Sequence, residues 1–183
     1  MRSPAIAKPA VFILAAIAAG CLAASAVAQP ASHEGEIPQS LSVEHQDTLD
    51  QLANLGQRHG PVGAEARKAL ELFKRHLARE NAFILPPLTL LPYLADGKVT
   101  PDMKWAIAMA DRVKAEREQI FQEHTQITDA MNALAAAARQ AHDAEALAFA
   151  RSAVTDSLND SEIAEPLAIV IGDYVKLKLQ TGQ

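Results

Sequence analysis

The stretch His76-Leu77-Ala78-Arg79-Glu80-Asn81-Ala82-Phe83-Ile84-Leu85-Pro86-Pro87 decides how the rest of the chain is read. His76 and Glu80 are four residues apart, so on a helix they lie on one face. Phe73, Leu77, Phe83 and Ile84 supply apolar surface around them, which predicts that the pair points inward. Pro86-Pro87 ends the helix, because proline has no amide hydrogen and restricts the residue before it. An imidazole and a carboxylate one turn apart on an inward face make half of a metal site. The expectation is a helical bundle built around this pair.

The chain has 183 residues, enough for one domain with a real core. Alanine is frequent, aromatics make up only 4%, and there are 8 glycines, a balance that favours closely packed helices. The formal charge is -5. Removing Arg2 and Lys8 with the leader described next leaves 15 of the 17 basic residues against 22 acidic ones. That acidic balance argues against a nucleic-acid surface. The single cysteine, Cys21, also lies in the leader, so the remaining domain has neither a disulfide nor a thiolate ligand.

Residues 1–28 have the layout of a secretory signal peptide. Arg2 and Lys8 precede an uncharged run from Val11 to Ala28, and Ala26-Val27-Ala28 offers small residues before a cut at Gln29. Export, to a bacterial periplasm, is the expectation, with no membrane attachment after cleavage. Two rivals are weaker. Ala18-Ala19-Gly20-Cys21 resembles a lipoprotein box, with alanine where leucine is usual. The uncharged run is also near the lower limit for an uncleaved anchor. Residues 29–39 hold Pro30, Ser32, Gly35 and Pro38 and read as a linker, with His33 a solvated histidine.

Four helices are expected over residues 40–179. The first spans about Ser40 to Gln57, capped by Ser40, with Leu41, His45, Leu49 and Leu52 on its apolar stripe. The second runs from about Ala64 to Ile84. Leu88 to Leu94 is too apolar for an open loop and is expected to cover one end of the bundle. The third opens with Thr100 as cap and Pro101 at the first helical position and reaches about Ala138, with His124 between Ile120 and Ile127 on its stripe. His59 and His142 fall in connections and are not candidate ligands. The fourth starts near Asp143, reaches Pro166 and continues to Leu179. One stripe on it holds Phe149, Ala153, Asp156, Asp160 and Ile163; Leu147, Ala150, Val154 and Leu158 offer a rival that would turn both aspartates to water. Aspartate on a core stripe is unusual unless it has a partner.

An antiparallel up-and-down four-helix bundle places these candidates together. The first connection centres near Gly60 and the third near Ala141, at the same end. Counting from them, His45 is 15 residues away, His76 16, His124 17 and Asp156 15. At about 1.5 Å rise per residue, the four lie within roughly 3 Å of one height. Glu80 and Asp160 stand one turn further. The candidate metal ligands are therefore His45, His76, Glu80, His124, Asp156 and Asp160. Taken singly, each histidine also reads as a hydrogen-bonded core residue.

Glu44-His45, His76-x-x-x-Glu80 with Pro86 beyond it, Glu123-His124, and the ending Glu165-Pro166-Leu167-Ala168-Ile169-Val170-Ile171-Gly172-Asp173-Tyr174 together resemble the hemerythrin-like, HHE cation-binding family. The resemblance covers about Ile37 to Leu179. It implies an antiparallel four-helix bundle holding two irons, and association with dioxygen binding, iron or oxygen sensing, and reactions with nitric oxide or peroxide. The chain departs from the family where the fourth helix usually has a histidine ten residues before its proline: here stands Asp156, with Asp160 a turn later. Ile120 and Thr128 flank His124 where oxygen carriers have a second histidine. Fewer imidazoles and more carboxylates favour harder ions. The expected function is an exported iron-binding protein, with dioxygen or another small diatomic as ligand and no catalytic residues. The alternative is a metal-free or decayed-site bundle acting as a periplasmic interaction module. A ferritin-like di-iron enzyme is disfavoured, since no Glu-x-x-His occurs.

Overall fold

The computed structural model describes residues 35–182. The leader, His33 and the start of the linker lie outside the described residues. The described residues are helical apart from short connections, with no strand among them. None of their helices is long and apolar enough to cross a membrane.

Helix α1 spans Gln39–Gly56 and follows Pro38, so Ser40 lies inside the first turn rather than capping it. Its buried stripe is His45, Thr48, Leu52, Leu55 and Gly56, while Leu41 and Leu49 are only half-buried. Helix α2 spans Pro61–Arg79, beginning three residues earlier than Ala64. Gly60, at φ 84°, supplies the left-handed turn, and Pro61 then enters the helix with its φ already set.

Regular α-helix does not persist to Ile84. It gives way to a wide π turn at Glu80–Ile84, in which the Leu85 amide donates to the Glu80 carbonyl at 2.9 Å. The physical reason is Pro86. Its ring would crowd the carbonyl four residues back and it has no amide hydrogen to continue the ladder, so the last turn widens. Pro86–Leu90 is a tight 3-10 turn and leads into α3, Leu91–Ala95. Leu88 and Leu90 are buried there, so this apolar stretch does cover part of the core.

Thr100 makes no capping bond, and Pro101–Lys104 forms a 3-10 turn before the long helix α4, Trp105–Gln140. Helix α5, Ala144–Asn159, is capped by Asp143, whose Oδ1 accepts from the Ala146 amide at 3.0 Å. A second π turn, Asp160–Ala164, separates α5 from α6, Glu165–Thr181, which has Pro166 in its first turn. The fourth expected rod is thus two α-helices joined by a widened turn, again just before a proline.

Helix α4 is the central member. It packs against α2, α5 and α6, and α1 packs against α2. Arg58, between α1 and α2, donates to Asp143 and, at 2.9 Å, to Glu145, both beside the α4–α5 connection. The two connections therefore meet at one end of the fold. Apolar packing falls into two clusters. One joins Leu52, Phe73, Leu77, Ile127, Leu134 and Ala150 near those connections. The other joins Phe83, Leu90, Met103, Val113, Ile120 and Ile171 toward the far end.

Helix α6 approaches α4 closely at Gly172. A Cβ there would stand 2.3 Å from Ala110 Cβ and 2.7 Å from the Ala106 carbonyl oxygen. On an open helix face, glycine to alanine stabilises by about 0.5–1 kcal/mol. Here the clash with backbone dominates, so Gly172→Ala is expected to destabilise by about 1–3 kcal/mol. Thermal unfolding checks the sign: a higher Tm for the variant would mean that α6 does not sit this close to α4.

Candidate metal centre

Between the two apolar clusters lies a layer of ionisable side chains drawn from separate elements. His45 enters from α1 and His76 from the last turn of α2. Glu80 opens the first π turn, His124 comes from the middle of α4, Asp160 opens the second π turn, and Glu165 begins α6. Each histidine is inward because it occupies a core position of its helix, with Leu52, Phe73 and Ile127 among the apolar residues on the same faces. Glu80 is 0% exposed, His76 2%, His124 5%, His45 6% and Glu165 7%. Burial of so many ionisable groups is unfavourable unless they are paired or ligate an ion.

Two sets of ligand atoms converge, each within 4.8 Å: His76 with Glu80 and His124, and His45 with Glu80 and Asp160. Glu80 belongs to both. Its Oε1 lies 3.0 Å from His76 Nε2, and its Oε2 lies 3.9 Å from His45 Nε2. His45 Nε2 is also 4.0 Å from Asp160 Oδ2. His124 Nε2 lies 2.7 Å from Glu165 Oε1, and the His76 and His124 rings sit edge to face with centroids 4.2 Å apart.

The His76–Glu80 and His124–Glu165 contacts are at ion-pair distance but lack hydrogen-bond alignment. His76 Nε2, both Glu80 oxygens, His124 Nε2, Glu165 Oε1 and His45 Nδ1 are buried without a hydrogen-bond partner. The one other such side-chain atom among the described residues is Thr100 Oγ1. Native interiors satisfy the great majority of buried polar atoms. Buried nitrogen and oxygen atoms grouped in this way could hold a metal ion.

The outer nitrogens are anchored. His76 Nδ1 lies 3.2 Å from Glu123 Oε2, and His124 Nδ1 lies 3.0 Å from Ser157 Oγ. With the ring hydrogen on Nδ1, each imidazole donates outward and turns its Nε2 lone pair to the centre.

The charges are strongly coupled. Burial pushes Asp160 up, and the neighbouring Glu80 and Glu44 carboxylates add to this, to about 8. Burial lowers His45, against the opposing pull of Glu80. Burial also acts to lower His76, but the Glu80 and Glu123 carboxylates outweigh it and leave it raised. For Glu80, burial is outweighed by His76, His45 and His124, which hold the carboxyl below its usual range.

Five of the six residues singled out from the sequence, His45, His76, Glu80, His124 and Asp160, meet in this layer. Asp156 is in neither set. It is half-buried on a groove between α1 and α5 that Glu44, Asp47 and Ser152 also line. The buried stripe of α5 is Ala146, Ala150, Ala153 and Ser157, which falls between the two stripes the sequence offered. Ser157 thereby takes the inward place, one residue from Asp156. Glu165, Glu123 and Ser157 were not singled out. On a regular helix, residues five apart are turned by about 140°. A π turn, with its five-residue step, returns Glu165 to the face of Asp160. The signal available was a repeated interval, since an acid stands six residues before proline at both Glu80–Pro86 and Asp160–Pro166.

Comparison of the chain with protein-family models, with curated proteins and with solved structures returns no match.

With no metal bound, the raised Asp160 gives a pH dependence of known sign. The unfolded carboxyl ionises near pH 4, while the folded one holds its proton to about 8. The folded state therefore binds the extra proton between these values, and the Asp160 contribution to stability falls as pH rises through that window. In chelator, Tm of the wild type should drop more between pH 5 and 8 than Tm of Asp160→Asn. Parallel profiles would show that Asp160 ionises as an ordinary surface carboxyl.

Proposed function

We propose that this chain is an exported, hemerythrin-like metal-binding protein. Its layer of imidazoles and carboxylates would hold two ions, iron in the first place, with Glu80 common to both groups of ligand atoms. His76, His124 and Glu165 would serve one ion, and His45 and Asp160 the other. The rods would be α1, α2 with its π turn, α4, and α5 continued through α6, in antiparallel order. The role would be binding or sensing dioxygen, another small diatomic or iron itself in the periplasm, rather than turnover of a substrate.

The observation that carries this reading is the convergence of orphaned donors. Buried nitrogens and oxygens without hydrogen-bond partners from α2, the first π turn, α4 and α6 meet in one layer, and His45 and Asp160 stand beside them. The donor chemistry fits. Imidazole nitrogen suits iron, carboxylate oxygen suits hard divalent ions, and a mixture of both accommodates iron. π turns recur at functional sites, and here each opens on a site carboxylate. The resemblance carried by His45, His76, Glu80 and His124 points the same way.

Elemental analysis of protein purified from cells supplied with iron should give two irons per chain. Metal bound only to the folded state raises stability by about 2.7 kcal/mol when free metal is 100 times Kd. Chelator should therefore lower Tm, and iron should restore it. Glu80→Met is expected to lose the metal-dependent shift. In chelator it should melt lower than the wild type, because removing Glu80 leaves His76 without its facing carboxylate, so the readout is the shift between chelator and iron within each protein. Absence of every metal, with equal melting in chelator and iron, would instead favour a metal-free helical scaffold for a protein partner.

A further inference from the structure

The three imidazoles of the centre have unlike outer surroundings. His45 Nδ1 is buried and without a partner. His124 Nδ1 faces the neutral Ser157 hydroxyl at 3.0 Å. His76 Nδ1 alone faces a carboxylate, Glu123 Oε2 at 3.2 Å. Glu123 lies next to His124 in sequence but reaches across to the histidine of another helix.

Glu123 is itself held in place. Arg79 Nε donates to both Glu123 oxygens at 3.1 Å, and Gln119 Nε2 donates to Oε1 at 3.3 Å. The Arg79 guanidinium also donates to Glu116, which in turn accepts from Arg112 at 2.6 Å. The arrangement borders a cavity of about 520 Å³ between α2 and α4, lined by His76, Arg79, Gln119, Gln122 and Glu123 among others. Burial would raise the Glu123 carboxyl, but the facing His76 and Arg79 hold it below its usual range, so it is an anion at neutral pH.

We infer that Glu123 is a positioning residue for the metal centre, fixing the His76 ring through Nδ1 and making its Nε2 the stronger donor of the set. This rests on the metal-binding reading above. A carboxylate accepting from Nδ1–H locks the tautomer that leaves Nε2 free, and its negative charge raises the basicity of the ring. A serine hydroxyl does the first and little of the second. The two sides of the site are therefore unequal by construction: the ion held by His76 is bound by an imidazole backed by charge, while the His45 ion has no such support. Arg79 keeps the carboxylate aimed, and the cavity opens on Glu123 from outside while His76 Nε2 is buried.

Cobalt(II), added alone to the chelated protein, is the probe, read by competition with a chromophoric chelator and by its visible absorption bands. Glu123→Gln keeps the size of the side chain and removes its charge. It should weaken the tighter cobalt site on the order of 10- to 100-fold and shift the bands, while Tm in chelator stays near that of the wild type. Glu116→Gln disturbs the same surface network without touching His76, and should leave affinity and bands unchanged. If Glu123→Gln does not fold, Glu123→Asp replaces it; the carboxylate, shortened by one methylene, is drawn back from Nδ1, and the same loss is expected. Wild-type affinity and spectrum in the Glu123 variant would overturn the inference while leaving the metal reading intact. An equal loss in Glu116→Gln would also overturn it, because the network rather than the His76 contact would then be responsible. A wild type that binds no cobalt, iron or other metal would sink both readings.

Discussion

Five buried ionisable side chains, and a sixth half-buried, share one layer in the middle of a small helical protein, and the remaining structure accommodates that fact. Charged groups removed from water cost several kcal/mol each unless opposite charges, hydrogen bonds or an ion compensate them. Here the compensation is incomplete within the chain. Nδ1 of His76 and of His124 is satisfied from outside, but the atoms facing inward are not. The apolar core is split in two around this layer, with Leu52, Phe73 and Ile127 on one side and Phe83, Ile120 and Ile171 on the other. Stability is thus supplied at both ends and yielded in the centre, the distribution expected where a site is bought with fold stability.

The backbone is shaped by the same demand. Both departures from regular α-helix that widen the turn occur at site carboxylates, Glu80 and Asp160, and both precede a proline. Proline explains why the ladder loosens locally. The consequence is geometric: a widened turn changes which residues share a face, so that Asp160 and Glu165 both reach the layer although they are five apart. Helix α4 serves as the common wall. It contributes His124 inward and Glu123 sideways, tying its own residue and that of α2 into one unit. At the end where the connections meet, Arg58 with Asp143 and Glu145 fastens α1–α2 to α4–α5.

The helical character, the approximate helix limits and the inward placement of His45, His76, Glu80 and His124 were legible in the sequence. They follow from local rules: apolar spacing of three and four, side-chain caps, and proline and glycine at boundaries. Even the common height of the histidines follows from counting residues from two turns, since the rise of a helix is constant. What tertiary structure alone decided was rotation and register around the second π turn. The sequence offered two stripes on α5 and the buried one lies between them, which moves Ser157 inward and leaves Asp156 on the outer groove. It also decided that Glu123 faces His76 rather than its own neighbour, and that Glu165 joins the layer beside His124. Periodicity assumes a constant turn; where a proline forces a wider one, the facing residue is chosen by packing between helices, and that information is not local to any stretch of the chain.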